Sequence, residues 1–198
     1  MPQIEQIEPS GPLRLFVAVP VRPTPLLCEF LDRLRRLGKA VKVPRSTHLH
    51  LTLKFLGDVT DDRLVPVFEA VTAAAQSASP IEFQIHGLRA FPRWERPNVV
   101  YTPILERVRG REVFATLANE LERLCEPLGF ARERRPFAPH VTLARIKYRP
   151  PPQMAKLMQE WAGANFGFQQ ASELVLFRSE LRRSGPTYTR ILTAPLDS

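Results

Sequence analysis

His48-Leu49-His50-Leu51-Thr52-Leu53-Lys54-Phe55 and Pro139-His140-Val141-Thr142-Leu143-Ala144-Arg145 carry one phrase, His-x-Thr-Leu, at two places in a single chain. Each copy lies in an apolar, β-prone run. Alternate residues of a strand share a face. Each copy therefore presents a His and a Thr on one side and turns Leu or Val toward a core. Two such strands facing each other would gather two imidazoles and two hydroxyls around one small cavity. That set can do acid–base chemistry without a metal. Of the chain's four His, two occupy the same place in the same phrase.

Residues 13–19 read as a core strand ending at Pro20, and 25–37 as a helix stopped by Gly38. The first motif strand spans 48–55. Thr60 or Asp61 caps a helix to about Gln76, with Leu64, Val67, Phe68 and Val71 on one face. Residues 81–88 alternate like a strand, 91–97 form a Pro- and Arg-rich loop, and 99–104 are another strand. A helix over 113–128 stops at Gly129, and the second motif strand starts near His140. Pro150-Pro151-Pro152 precedes a helix over 153–161. Strands over 173–178 and 187–194 close the chain around a turn at Ser184-Gly185-Pro186. The two halves are alike in content and each holds one motif. The expected fold is α+β, with two similar lobes, each an antiparallel sheet with helices outside, enclosing a central basic cleft. The expected organisation is one bilobal domain over 1–198.

The 198 residues are 44% hydrophobic, enough for a core, and the net charge is +8. Only five of the 28 basic residues are Lys, which leaves 23 Arg. Arg is the better bidentate partner of phosphate, so a polyanion, RNA first, fits as partner. Cys28 and Cys125 read as small buried residues of a reducing compartment. The polar start of the chain lacks the pattern of a signal peptide, and every apolar run is too short to span a membrane. A monomeric cytoplasmic protein with no obligate protein partner is expected.

Imidazole titrates near neutrality. One neutral ring can take a proton from a nucleophile while a protonated ring gives one to a leaving oxygen. The Thr hydroxyls can donate to a phosphate between them. The rival is a metal site on His48, His50 and His140, but no carboxylate accompanies them in the motif strands. No Gly-x-Ser-x-Gly, no His beside either Cys and no phosphate-binding Gly-rich loop occurs. His48 reads as a rim or strand-start residue, and His86 as surface or structural.

These residues resemble the 2H phosphoesterases, and among them the bacterial and archaeal RNA 2′,3′-cyclic phosphodiesterases, also called 2′-5′ RNA ligases. The resemblance runs from Arg14-Leu15-Phe16-Val17-Ala18-Val19 through both motif blocks to Phe177-Arg178-Ser179-Glu180-Leu181, Gly185 and Tyr188. Phe91-Pro92 and Pro97-Asn98-Val99-Val100-Tyr101 belong to it. Two positions depart from the pattern: His48, where relatives often have Asn, and Lys42-Val43, where an aromatic residue often stands. The resemblance implies hydrolysis of an RNA-terminal 2′,3′-cyclic phosphate to a 2′-phosphate, with reversible 2′-5′ ligation as a second activity. It implies catalytic His50 and His140, with His140 activating water and His50 protonating the leaving 3′ oxygen, and phosphate held by Thr52 and Thr142. It implies no metal and no organic cofactor.

Arg145 belongs to the matched block, which makes it a substrate contact. Strict alternation, however, turns it away from His140 and Thr142, so either the strand ends or bends there, or Arg145 is structural. Phe137 reads as packing rather than base stacking, and Tyr188 is open. Two other functions compete: an RNA-binding module without chemistry, and a phosphodiesterase acting on a small cyclic nucleotide.

Overall fold

The computed structural model describes residues 3–4, 11–107, 112–182 and 185–197. The apolar run Leu13–Pro20 (β2) lies between the first motif strand, His50–Val59 (β4), and Glu173–Arg182 (β10). Gly185–Pro195 (β11) continues from β10, and the short Gln3–Ile4 (β1) edges it. These strands form one wing. The second motif strand, His140–Ile146 (β8), pairs with Val99–Glu106 (β7). Ile81–His86 (β5) and then Asn165–Ala171 (β9) follow. Val41–Lys42 (β3) adds to β8 and Arg89–Phe91 (β6) to β7. The two wings meet where β4 pairs with β8, giving one curled antiparallel sheet.

The helices lie on the core face of this sheet, and two of them change sides. Pro25–Arg36 (α1) begins with Thr24, whose hydroxyl accepts from the Leu27 amide at 3.3 Å, and with Pro25 in the first turn. Its apolar face, Leu27, Phe30, Leu31 and Leu34, is fully buried. That face serves the second wing. Phe30 lies 5.1 Å from Trp161 and 5.8 Å from Phe166 of β9, and the Thr24 hydroxyl also donates to the Phe166 carbonyl. Val113–Cys125 (α3) comes from the second half but packs on β4 and on Asp61–Gln76 (α2), against the first wing. Gln153–Glu160 (α4) buries Met154, Leu157 and Met158, and its C-cap Trp161 meets Phe30 of α1.

The α+β reading and the two similar halves hold, and several boundaries move. β9 was not expected, because its sequence is polar and Gly167 sits at φ +110° within it. The helix read over 113–128 ends at Cys125. Pro127 lacks an amide donor, so a 3-10 turn finishes the segment before Gly129 at φ +81°. The closing strands are longer than read, and Ser184 of the expected turn lies outside the described residues. Cys125 is buried, but Cys28 is only half-buried. Among the described residues no helix is long and apolar enough to cross a membrane.

Because Phe30 fastens the first helix to the last strand of the second wing, Phe30→Ala should remove about 3–5 kcal/mol of stability. Urea unfolding measures it. A loss under about 1 kcal/mol would mean that this contact does not hold the wings' layers together.

Candidate active site

The residue pair that joins the wings is Leu51 with Val141, both buried, at 1% and 0% exposure. Neighbours on each strand point the other way. In an antiparallel pair, one step either side of this contact sets His50 against Thr142 and Thr52 against His140. The four motif side chains therefore share the concave face, related by an approximate twofold at the seam.

Both imidazoles are aimed alike. His50 Nδ1 lies 2.7 Å from the carbonyl oxygen of His48, and His140 Nδ1 lies 2.8 Å from that of Ala138. A carbonyl only accepts, so each Nδ1 carries the proton and donates. Each Nε2 is then the atom left for chemistry: a lone pair in the neutral ring, a donor in the cation.

Their surroundings differ. His50 stands in an aromatic enclosure, with ring centres at 5.0 Å to Phe16, 5.3 Å to Tyr188 edge-on, and 6.2 Å to Phe177. Burial lowers its pKa, and the charges of His48, His140 and Arg145 lower it further against the opposing pull of the His48 carbonyl. His140 is exposed and meets Tyr101 at 5.1 Å. His48 ends a 3-10 turn, Ser46–His48, 5.2 Å from the Tyr188 ring, and burial with Arg45 nearby lowers its pKa. Burial raises the Tyr188 phenol, while Arg145 and Arg14 pull it the other way.

A β-bulge settles the direction of Arg145. Tyr101 pairs with Thr142, but Val100 pairs with Ala144, so Leu143 is an extra residue in β8. Leu143 and Ala144 both point inward, and Arg145 emerges beside His140 and Thr142. β4 repeats the device. Ala18 pairs with Thr52 and Val17 with Lys54, so Leu53 is extra. Leu53 and Lys54 are both buried, and Phe55 emerges on the site face, 71% exposed. A second bulge at Leu56 follows, eased by Gly57 at φ +73°. The repeated unit is thus longer than His-x-Thr: the residue five beyond each His returns to the site face, as Phe55 in one wing and Arg145 in the other.

Phe137 packs against the core, and His86 is half-buried at the end of β5. Neither joins the site. Reading the residues one by one missed Phe16, Phe177 and Tyr101, since ring contacts across strands leave no mark along the chain. Arg14 shares the face of Phe16 on β2, and neither Arg14 nor Arg145 is in an ion pair among the described residues. No group of three His, Cys, Asp or Glu suited to a metal occurs among those residues. Burial pushes the Cys125 thiol up to about 11, so it stays protonated at neutral pH. A groove of about 920 Å³ between the end of α2 and α3 contains no motif residue. Its Glu106 caps α3, accepting from the Val113 and Phe114 amides.

A curled sheet that brings one His-x-Thr from each wing to a shared face is the arrangement of the 2H phosphoesterases. The crystal structure of TT0787 from Thermus thermophilus superposes with a TM-score of 0.76 at 28% identity, covering 92% of this chain and 97% of its own. Escherichia coli LigT without ligand has the same fold, at a TM-score of 0.65 and 24% identity, with 96% and 100% covered. Residues 23–181 match the 2′-5′ RNA ligase superfamily, and the chain belongs to that family. The RNA 2′,3′-cyclic phosphodiesterase of Aeropyrum pernix is 33% identical over 163 residues, 82% of this chain and 90% of its own. That of Thermus thermophilus is 32% identical over 186 residues, covering 89% and 87%.

His50 should titrate below the ordinary imidazole value of 6.5, and Tyr188→Ala, which opens the enclosure to water, should raise it toward that value. Between its folded pKa and 6.5 the unfolded chain holds more protons at this residue than the folded one. Its contribution to stability is therefore complete above 6.5 and lost as pH falls through that window. An NMR titration of the imidazole signals decides; a His50 midpoint at or above 6.5 would contradict the enclosure's effect.

Proposed function

We propose that this chain hydrolyses the 2′,3′-cyclic phosphate at an RNA end to a 2′-phosphate, without a metal, using His50 and His140 as the acid–base pair. The observation that carries this reading is the twofold placement of two imidazoles, each with Nδ1 held by a carbonyl and Nε2 free. The names of the relatives in the family support the substrate. Water attacks phosphorus as one ring takes its proton. The bond to the 3′ oxygen breaks, and the other ring protonates that oxygen, while the 2′ ester remains. Thr52, Thr142 and Arg145 donate to the phosphate oxygens as negative charge builds. The family resemblance makes His140 the base and His50 the acid. Burial favours neutral His50 in the free site, so the acid role requires the phosphate's own negative charge to draw a proton onto it. Phe55 offers an exposed aromatic face for the terminal base. Arg14 and Arg145, neither of them in an ion pair among the described residues, make the site face attractive to the rest of the RNA. We place the protein as one bilobal domain, acting as a monomer in the cytoplasm on RNA ends.

His50→Ala and His140→Ala should each abolish nearly all hydrolysis of a short RNA ending in a 2′,3′-cyclic phosphate, with the fold intact by circular dichroism. The loss per residue should be roughly 10²–10⁴-fold, and the double variant should be little worse than either single, as for groups acting as a unit. Near-normal turnover in either single variant defeats the paired mechanism. An RNA-binding module without chemistry would instead leave RNA affinity as the only property to measure.

The pH–rate profile should be bell-shaped, with limbs that belong to the pair. Affinity for an oligonucleotide should fall with added salt more steeply than affinity for a cyclic mononucleotide, because more counterions are released by the longer anion. Equal salt slopes would favour a small cyclic nucleotide as the natural substrate.

A further inference from the structure

Lys54 and Phe55 stand in each other's places. Regular alternation beyond Thr52 would send Phe55 into the core and Lys54 into the open cleft, and solvation favours that choice twice, once for each residue. The structure does the reverse. The Lys54 side chain is 2% exposed, while Phe55 is 71% exposed. The bulge at Leu53 makes this geometry available but gives no reason for an ammonium to accept it. The reason lies behind the sheet. Lys54 Nζ is 2.6 Å from Glu122 Oε2 on α3, itself 13% exposed, and donates to the Ala131 carbonyl at 3.2 Å. The equivalent residue of the other motif strand, Ala144, is small and apolar and sits inward without a partner.

We propose that Lys54 and Glu122 form a lock that holds the bulged form of the first motif strand and so keeps Phe55 on the substrate side. Lys54 is a positioning residue in this account: it acts through Phe55 and does not meet the phosphate. Glu122, on a helix behind the sheet, governs the cleft from outside it. The lock is a property of the strand; only its effect on turnover rests on the proposed RNA-end reaction.

The test removes the charge of Glu122 while leaving its shape. In a Cys28→Ser, Phe55→Cys background, a maleimide reports whether position 55 faces solvent, since Cys125 is buried. Glu122→Gln should let the ammonium escape to the cleft and turn position 55 inward, slowing labelling by about tenfold or more as the thiol is withdrawn from solvent. Lys54→Met/Glu122→Leu makes both inward positions apolar and should restore labelling to the parental rate. With Phe55 present, kcat/KM for a dinucleotide 2′,3′-cyclic phosphate should fall in Glu122→Gln by about tenfold, the scale of one lost base–aromatic stack, and recover in the double variant. A lock that merely stabilises the fold would lower Tm and leave the labelling and kcat/KM of folded protein unchanged. Parental labelling in folded Glu122→Gln overturns the proposal. If that variant does not fold, the double variant decides, and slow labelling there overturns it. Expected labelling from a protein that shows no hydrolysis at all would leave the lock standing and remove the RNA-end reading.

Discussion

A single residue pair, Leu51 with Val141, holds the molecule's chemistry together. Everything at the site is counted from it: His50 facing Thr142, Thr52 facing His140, both imidazoles on one side. Side chains alternate with a period of two, so a slip of one residue at this seam would turn one motif into the core. The buried Leu and Val are therefore as much part of the site as the polar residues they separate. The pairing at the seam is a single residue pair, so the curl of the sheet turns about it.

The twofold at the seam is one of geometry and not of environment. Phe16, Phe177 and Tyr188 enclose one imidazole, while the other meets solvent and a single Tyr101. An acid–base pair needs two groups that hold their protons differently, and identical motifs can supply this only if their surroundings differ. The five-residue reach of each motif adds a second asymmetry. One wing returns an aromatic ring to the site face and the other a guanidinium, so the two sides of that face present different chemistry.

The duplicated phrase, the strand character of its carriers, the four long helices and the α+β class were all legible along the chain, because each rests on local periodicity. What was hidden is what depends on partners. Strict alternation made Arg145 point the wrong way, since a bulge is visible only when the pairing strand is known. The buried pairing of Lys54 leaves no mark along the chain, since its carboxylate, Glu122, lies on a helix far from it in sequence. Phe16 looked like one more core residue of an apolar strand, yet its ring lies against His50 on the opposite side of the sheet. β9 was overlooked because its burial comes from α1 and β5, not from a pattern of its own.

The exchange of helices between the wings bears on how the chain is made. The first wing cannot be completed when its own motif emerges from the ribosome. β2 waits for β10 and β11 at the far end of the chain, and the face behind β4 waits for α3. Nor can the second wing close without α1, which is synthesised early and must stay uncommitted. Contacts between distant segments form slowly, so the first wing closes late, and neither motif should exist as a working half on its own. Until β10 arrives the nascent chain carries one edge of the apolar strand β2 unpaired, an interval in which such edges are exposed to aggregation and to chaperones.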